Sequence, residues 1–140
     1  MLGEIVLIVV GTVHSLAGLP LTTEDIDLII DQDMCVEYVD EAIQTGWESH
    51  ELPQLLRIMH RESRCLPDAC GVTDRPDLRK CRDWGLMQIN DYSWKTTVRS
   101  MDLDMEQMHD PFWNLFFARH IFEMAEHRYG CGWQPWSVDC

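Results

Sequence analysis

Residues Phe112 to Tyr129 read as a helix that is apolar almost all round: Phe112, Trp113, Leu115, Phe116, Phe117, Ala118, Ile121, Phe122, Met124 and Ala125. A helix of this kind does not lie on a surface, so the other elements must wrap it. Its ends are marked. Asp110 is a cap, Pro111 suits the first helical position, and Gly130 can close the last turn. The aromatic stripe is read as core, and so are Met59, Met87, Met105, Met108 and Met124. A chain of 140 residues has room for one such core, burying about two-thirds of its unfolded surface. The hydrophobic share of 46% excludes disorder as the default state.

The elements around that helix are also expected to be mainly helical. Thr22 and Thr23, after Pro20, can cap a helix whose face carries Ile26, Ile29 and Ile30. Val36, Val39 and Ile43 repeat at helical spacing before Gly46, and Pro53 suits the start of a helix over Leu52 to Glu62. Leu55, Leu56, Ile58 and Met59 supply the core side of that helix. From Cys65 to Arg82 the chain is rich in Pro, Gly, Asp and Cys, which reads as a cross-linked loop region or a small hairpin.

Six cysteines in so short a chain favour an oxidising compartment. They allow 15 pairings, among which sequence does not choose. Zinc is the alternative for Cys65, Cys70 and Cys81 with His60 near by, and it ranks below disulfides because no CxxC pair exists. Ile5 to Val13 form an apolar run of nine residues, too short to span a bilayer. Ser15-Leu16-Ala17 fits the small-x-small pattern of a signal-peptidase site, although Glu4 stands where a basic residue is expected. Residues 1–17 are therefore read as a signal peptide or an N-terminal apolar segment, and 18–140 as a single domain.

The net charge of −13 argues against nucleic acid and against anionic lipid as partners. It is unevenly spread. Met1 to Leu56 hold eleven acids and no Lys or Arg, leaving 13 acids against all 11 bases in the rest. A calcium loop is the sharp reading of that bias, but neither Asp25-Ile26-Asp27 nor Asp31-Gln32-Asp33 continues with the required ligands. A solvated helix face explains it better.

The chemistry concentrates in two stretches, Arg61-Glu62-Ser63-Arg64 and Asp83-Trp84-Gly85-Leu86-Met87-Gln88-Ile89-Asn90. Glu62 would end the helix that begins near Pro53, beside apolar residues. A carboxylic acid partly desolvated there would hold its proton to higher pH and could donate it to a leaving oxygen. Asp83, brought close by a cross-linked loop, could stay ionised and face developing positive charge. Two carboxyl groups in unlike settings are the usual apparatus for glycoside cleavage.

Glu-Ser followed by Gly-Leu-Met-Gln-Ile-Asn resembles the core motif of the SLT-type lytic transglycosylases and the lysozyme-like superfamily. Asp110-Pro111-x-x-Asn114 is similar to the opening of the next helix in that family. Gly132-Trp133-Gln134-Pro135-Trp136 is similar to the closing Gly-Trp-x-x-Trp of small phage and actinobacterial members. The resemblance covers roughly residues 47–137. It implies a mainly α, lysozyme-like fold with a small disulfide-linked loop or β-hairpin region. It also implies action on peptidoglycan glycan strands, at the β-1,4 bond between N-acetylmuramic acid and N-acetylglucosamine.

By that resemblance Glu62 would be the catalytic acid and then the base, with possible help from Asp83. Ser63 would hold the site, while Met87, Gln88 and Asn90 would line the sugar cleft. Trp94, Trp133 and Trp136 are candidates for sugar contacts or for core packing. The implied protein is a monomer, secreted, periplasmic or virion-associated, with no metal, no cofactor and no membrane span in its mature form.

Two departures stand out. Many SLT members lack an acid before the Gly-Leu-Met-Gln run, whereas Asp83 resembles C-type lysozymes and the transglycosylases of secretion and conjugation systems. The Cys65 to Cys81 loop is longer than in many members. The competing reading is a non-catalytic peptidoglycan- or glycan-binding protein on the same scaffold, since a fold does not guarantee its chemistry. Peptidoglycan and teichoic acids are largely anionic, so a charge of −13 should hinder approach. Yet Arg57 to Arg99 carry nine bases against six acids, a mildly basic cleft region beside an acidic flank.

Overall fold

The computed structural model describes residues 34–72 and 81–140. The N-terminal segment 1–17, the helix expected after Pro20 and the Asp25 to Asp33 run therefore lie outside the described residues.

A 3-10 turn, Val36–Tyr38, leads into α1 (Val39–Gln44), where Val39 and Ile43 are buried as expected, with Ala42 beside them, while Val36 is only partly buried in the turn. A second 3-10 turn, Ser49–Glu51, is closed by a capping box in which Glu51 Oε1 accepts the Glu48 N–H at 3.1 Å. It runs directly into α2 (Leu52–Ser63), with Pro53 in the first turn, where a missing N–H is harmless. Leu52, Leu55, Leu56, Met59 and Ser63 form one buried stripe. The helix stops at Arg64 and Cys65, two successive non-glycine residues with φ of +55° and +64°. Each is strained by roughly 1–2 kcal/mol in that region. The Cys35–Cys65 disulfide holds the turn in place.

Next comes a small antiparallel sheet in the order β1 (Cys70–Val72), β2 (Cys81–Trp84), β3 (Ile89–Asn90). A disulfide between Cys70 and Cys81 ties the first two strands. The hairpin expected from the loop region is present, and the end of the Gly-Leu-Met-Gln-Ile-Asn run adds a third strand to it. Cys131–Cys140 is the remaining disulfide, so every cysteine is paired. This excludes the zinc alternative at Cys65, Cys70 and Cys81.

Helix α3 (Asp91–Ser100) was not apparent in the sequence; its only buried residue is Val98, which leaves no apolar stripe to read. A 3-10 turn, Met105–His109, then delivers the chain to α4 (Pro111–Tyr129). Asp110 caps α4 as expected, its Oδ1 accepting the Phe112 N–H at 2.9 Å, and left-handed Gly130 ends it. A last 3-10 turn spans Gln134–Trp136.

Helix α4 packs against α1, the Met105–His109 turn and the Gln134–Trp136 turn. It is central but not buried all round. Leu115, Phe117, Ala118, Ile121, Phe122 and Ala125 are buried, whereas Phe116 and Met124 are 38% and 43% exposed. The expectation that Met124 is core is thus corrected, because its side of the helix borders a cleft instead of another element. Met59, Met87, Met105 and Met108 are buried in the core, as the sequence suggested.

The one polar side chain fully buried on α4 is Asn114. Its Oδ1 accepts the Met87 N–H at 2.9 Å, and its Nδ2 donates to the Trp84 and Met108 carbonyls at 2.8 Å each. Asn114→Ala would orphan these three backbone groups, at about 1–3 kcal/mol each. We expect urea unfolding to register a loss of at least about 3 kcal/mol, against under about 1 kcal/mol for a substitution at exposed Glu123.

Candidate active site

A cleft of about 630 Å³ opens between the end of α2, the sheet, the start of α3 and the outer face of α4. Glu62, Asp83, Gln88, Asn90, Trp94 and Trp136 all border it. Glu62 lies one residue from the end of α2, at the edge of its buried stripe. Its side chain is 29% exposed. Arg61 Nη2 donates to Glu62 Oε1 at 3.0 Å and also to the Trp136 carbonyl oxygen. The end of α2 is thereby tied to the C-terminal 3-10 turn.

Asp83 is placed by strand geometry. Successive side chains on β2 point to opposite faces, so Trp84 enters the core while Asp83 faces the cleft. Across the sheet Asp83 pairs with Gly71 on one side and Asn90 on the other. Asn90 Nδ2 donates to Asp83 Oδ1 at 2.9 Å, and Asn90 Oδ1 accepts the Ser93 N–H at 2.9 Å. One amide thus orients the carboxylate and caps α3. On the other side, a Cβ at Gly71 would lie 2.9 Å from Asp83 Oδ2 and 3.1 Å from Gln88 Oε1. The absence of a side chain there makes room for both groups. Gln88 Nε2 is held by the Gly85 carbonyl at 2.9 Å.

The turn between β2 and β3 depends on Gly85, which combines φ +74° with a position where a Cβ would overlap the Met108 carbonyl oxygen. Met87 follows, fully buried. Its N–H goes to Asn114, and its carbonyl accepts Trp136 Nε1–H at 2.9 Å. Of the residues singled out in the sequence, the structure therefore brings Glu62, Asp83, Gln88, Asn90, Trp94 and Trp136 to one cleft.

Three others lie elsewhere. Met87 sits behind the cleft wall. Ser63 is 5% exposed, and its hydroxyl bonds the Met59 carbonyl at 3.0 Å, a common resting place for a buried helical serine. Trp133 stacks on Trp47 at 5.6 Å and lines a different pocket.

Several cleft residues escaped the sequence reading. Ile121, Met124, Ala125 and Arg128 follow one another at i, i+3, i+4 and i+7 and form the α4 wall. Tyr129, Gln134 and Pro135 continue it. The spacing was visible, but inside an all-apolar helix nothing marked that face. Arg61 and Gly71 carried no signal of their own.

Among the described residues, Glu48, His50 and Glu51 bring ligand atoms within 4.8 Å of one another. Glu51 is already engaged, with Arg119 Nη1 at 2.7 Å from both of its oxygens. Burial pulls the Arg119 pKa down, but the hydrogen bond and charge of Glu51 outweigh it and raise the guanidinium above its usual range. A metal cation would have to displace that partner.

The family model described as "Transglycosylase SLT domain" matches residues 40–137. No curated protein and no solved structure matches the chain.

Gly71→Ala isolates the support of Asp83 from the core. We expect a stability loss of roughly 1–3 kcal/mol by urea titration. The Asn90 side-chain amide should also shift in ¹H–¹⁵N spectra as its bond to Asp83 is strained. An unmoved Asn90 amide would show that the close approach at Gly71 does not set Asp83.

Proposed function

The chain belongs to the SLT transglycosylase family, whose members cleave glycosidic bonds of peptidoglycan, and on that premise we propose that Glu62 and Asp83 carry the cleavage. The bond is the β-1,4 linkage from N-acetylmuramic acid to N-acetylglucosamine. The observation that carries this reading is that Glu62 and Asp83 border the same cleft, one from a helix end and one from a strand. Every described residue that lines the cleft falls within the matched residues 40–137.

In the proposed sequence Glu62 gives its proton to the glycosidic oxygen as the bond from muramic C1 to that oxygen breaks. Positive charge grows at C1 and the ring oxygen, and the Asp83 carboxylate, fixed by Asn90, faces it. The C6 hydroxyl of the same muramic residue then attacks C1, and the Glu62 carboxylate takes the hydroxyl proton. One product ends in an anhydro sugar, the other in a free 4-hydroxyl, and Glu62 is again protonated. Gln88, whose Nε2 is committed to the Gly85 carbonyl, has Oε1 left to accept from a sugar. Trp94, Trp136 and the apolar face of α4 offer surfaces for sugar rings.

The three disulfides accord with an extracytoplasmic site of action. Among the described residues no helix is long and apolar enough to cross a membrane.

Glu62→Gln should lower the rate of glycan cleavage by about 10²–10⁴-fold with an unchanged unfolding midpoint. Mass spectrometry of the digest reads the outcome. Equal cleavage by variant and wild type would remove Glu62 from the mechanism. Reducing ends in place of anhydro ends would assign the attack on C1 to water and leave the role of Glu62 intact.

A further inference from the structure

Among the described residues, the cleft is walled by two carboxylates and one basic residue, Arg128. Arg128 ends the α4 stripe that begins with Ile121, Met124 and Ala125, so an apolar track leads to a cation. Its guanidinium carbon lies 5.4 Å from the ring centroid of Tyr129, which borders the same cleft. No ion pair engages Arg128 among the described residues. The acid two residues before it, Glu126, accepts the Gly132 N–H at 2.8 Å instead. An unpaired guanidinium presents a planar fork that matches a carboxylate. An uncharged glycan offers such a group only neutral hydroxyl and carbonyl acceptors, whereas a carboxylate meets both arms of the fork with charge-assisted bonds.

We propose that Arg128, steadied by Tyr129, is a specificity-determining residue that binds a carboxylate carried by the glycan. The proposal rests on the cleft being the glycan site. The carboxylate has two sources with the same chemistry: the lactyl group of a peptide-free muramic residue, or the free carboxylates of an attached peptide. In either case the cleft selects substituted strands over plain N-acetylglucosamine polymers. Helix-end electrostatics alone would also favour a cation at this position, but would not require it to face the cleft.

The test measures binding, so that it stands apart from catalysis. In the Glu62→Gln background, dissociation constants are determined for three probes: peptide-bearing glycan fragments, the same fragments with peptides removed by an amidase, and N-acetylglucosamine oligomers. The expected result is a preference for one or both carboxylated probes, which Arg128→Gln reduces by about ten- to a hundredfold, as loss of a charge-assisted bond requires. Arg128→Lys should recover only part of it, because an ammonium cannot reproduce the fork. Loss confined to the peptide-bearing probe assigns the site to the peptide, and loss confined to the peptide-free probe assigns it to the lactyl group. An unchanged preference, an equal loss for all three probes, or full recovery with lysine overturns the proposal. Failure of the wild type to cleave peptidoglycan, with the preference intact, would sink the catalytic reading and leave this one standing.

Discussion

The side-chain amide of Asn114 holds the architecture of the cleft together. It is buried on the central helix and bonds the backbone on both sides of the Gly85 turn and the end of the Met105–His109 turn. Helix packing alone would let these segments slide over one another, because apolar contacts are non-directional. Three hydrogen bonds of fixed geometry do not allow that. The tight turn at Gly85 then follows, since only a residue without Cβ lets the Met108 carbonyl and the Asn114 amide approach so closely.

From that fixed point the support of the cleft divides into two layers. Met87 and Ser63 face inward: Met87 commits its backbone groups to Asn114 and Trp136, and the Ser63 hydroxyl bonds the Met59 carbonyl of its own helix. Asp83, Gln88 and Asn90 face outward: Asn90 holds Asp83, the Gly85 carbonyl holds Gln88, and Gly71 leaves room for Asp83 and Gln88. Arg61 joins the layers from the helix side, bonding Glu62 and the Trp136 carbonyl at once, while the Trp136 indole reaches the Met87 carbonyl. The candidate acid and the turn opposite it are therefore referenced to the same residue, Trp136.

Much of this was legible in the sequence, and the parts that were not have physical reasons. Helix α2 and helix α4 announced themselves through Pro53, Asp110-Pro111, Gly130 and apolar spacing, because caps and stripes are local features. Glu62 and Asp83 stood out as chemistry-bearing types in short motifs. The inward placement of Ser63 was hidden, and Met87 and Trp133 each carried two readings, core or cleft, since a motif records which residues recur near a site and not which way each points. Helix α3 was missed because it buries only Val98. The cleft-facing side of α4 was missed because a wall that will meet a sugar looks, in sequence, like one that will meet a core. Asn114 was noticed as part of a motif, yet its role needed partners 27 and 30 positions away along the chain.

The disulfides carry a consequence for how the chain acquires its fold. Cys35 joins Cys65, Cys70 joins Cys81, and Cys131 joins Cys140, so each cysteine pairs with the next along the chain and no loop encloses another. Of all possible pairings this is the one reached by oxidising thiols in the order in which they emerge from the ribosome or a translocation pore. Short loops also close at the least entropic disadvantage. A chain entering an oxidising compartment N-terminus first could form its native set of bridges vectorially, without passing through scrambled intermediates that an isomerase must repair.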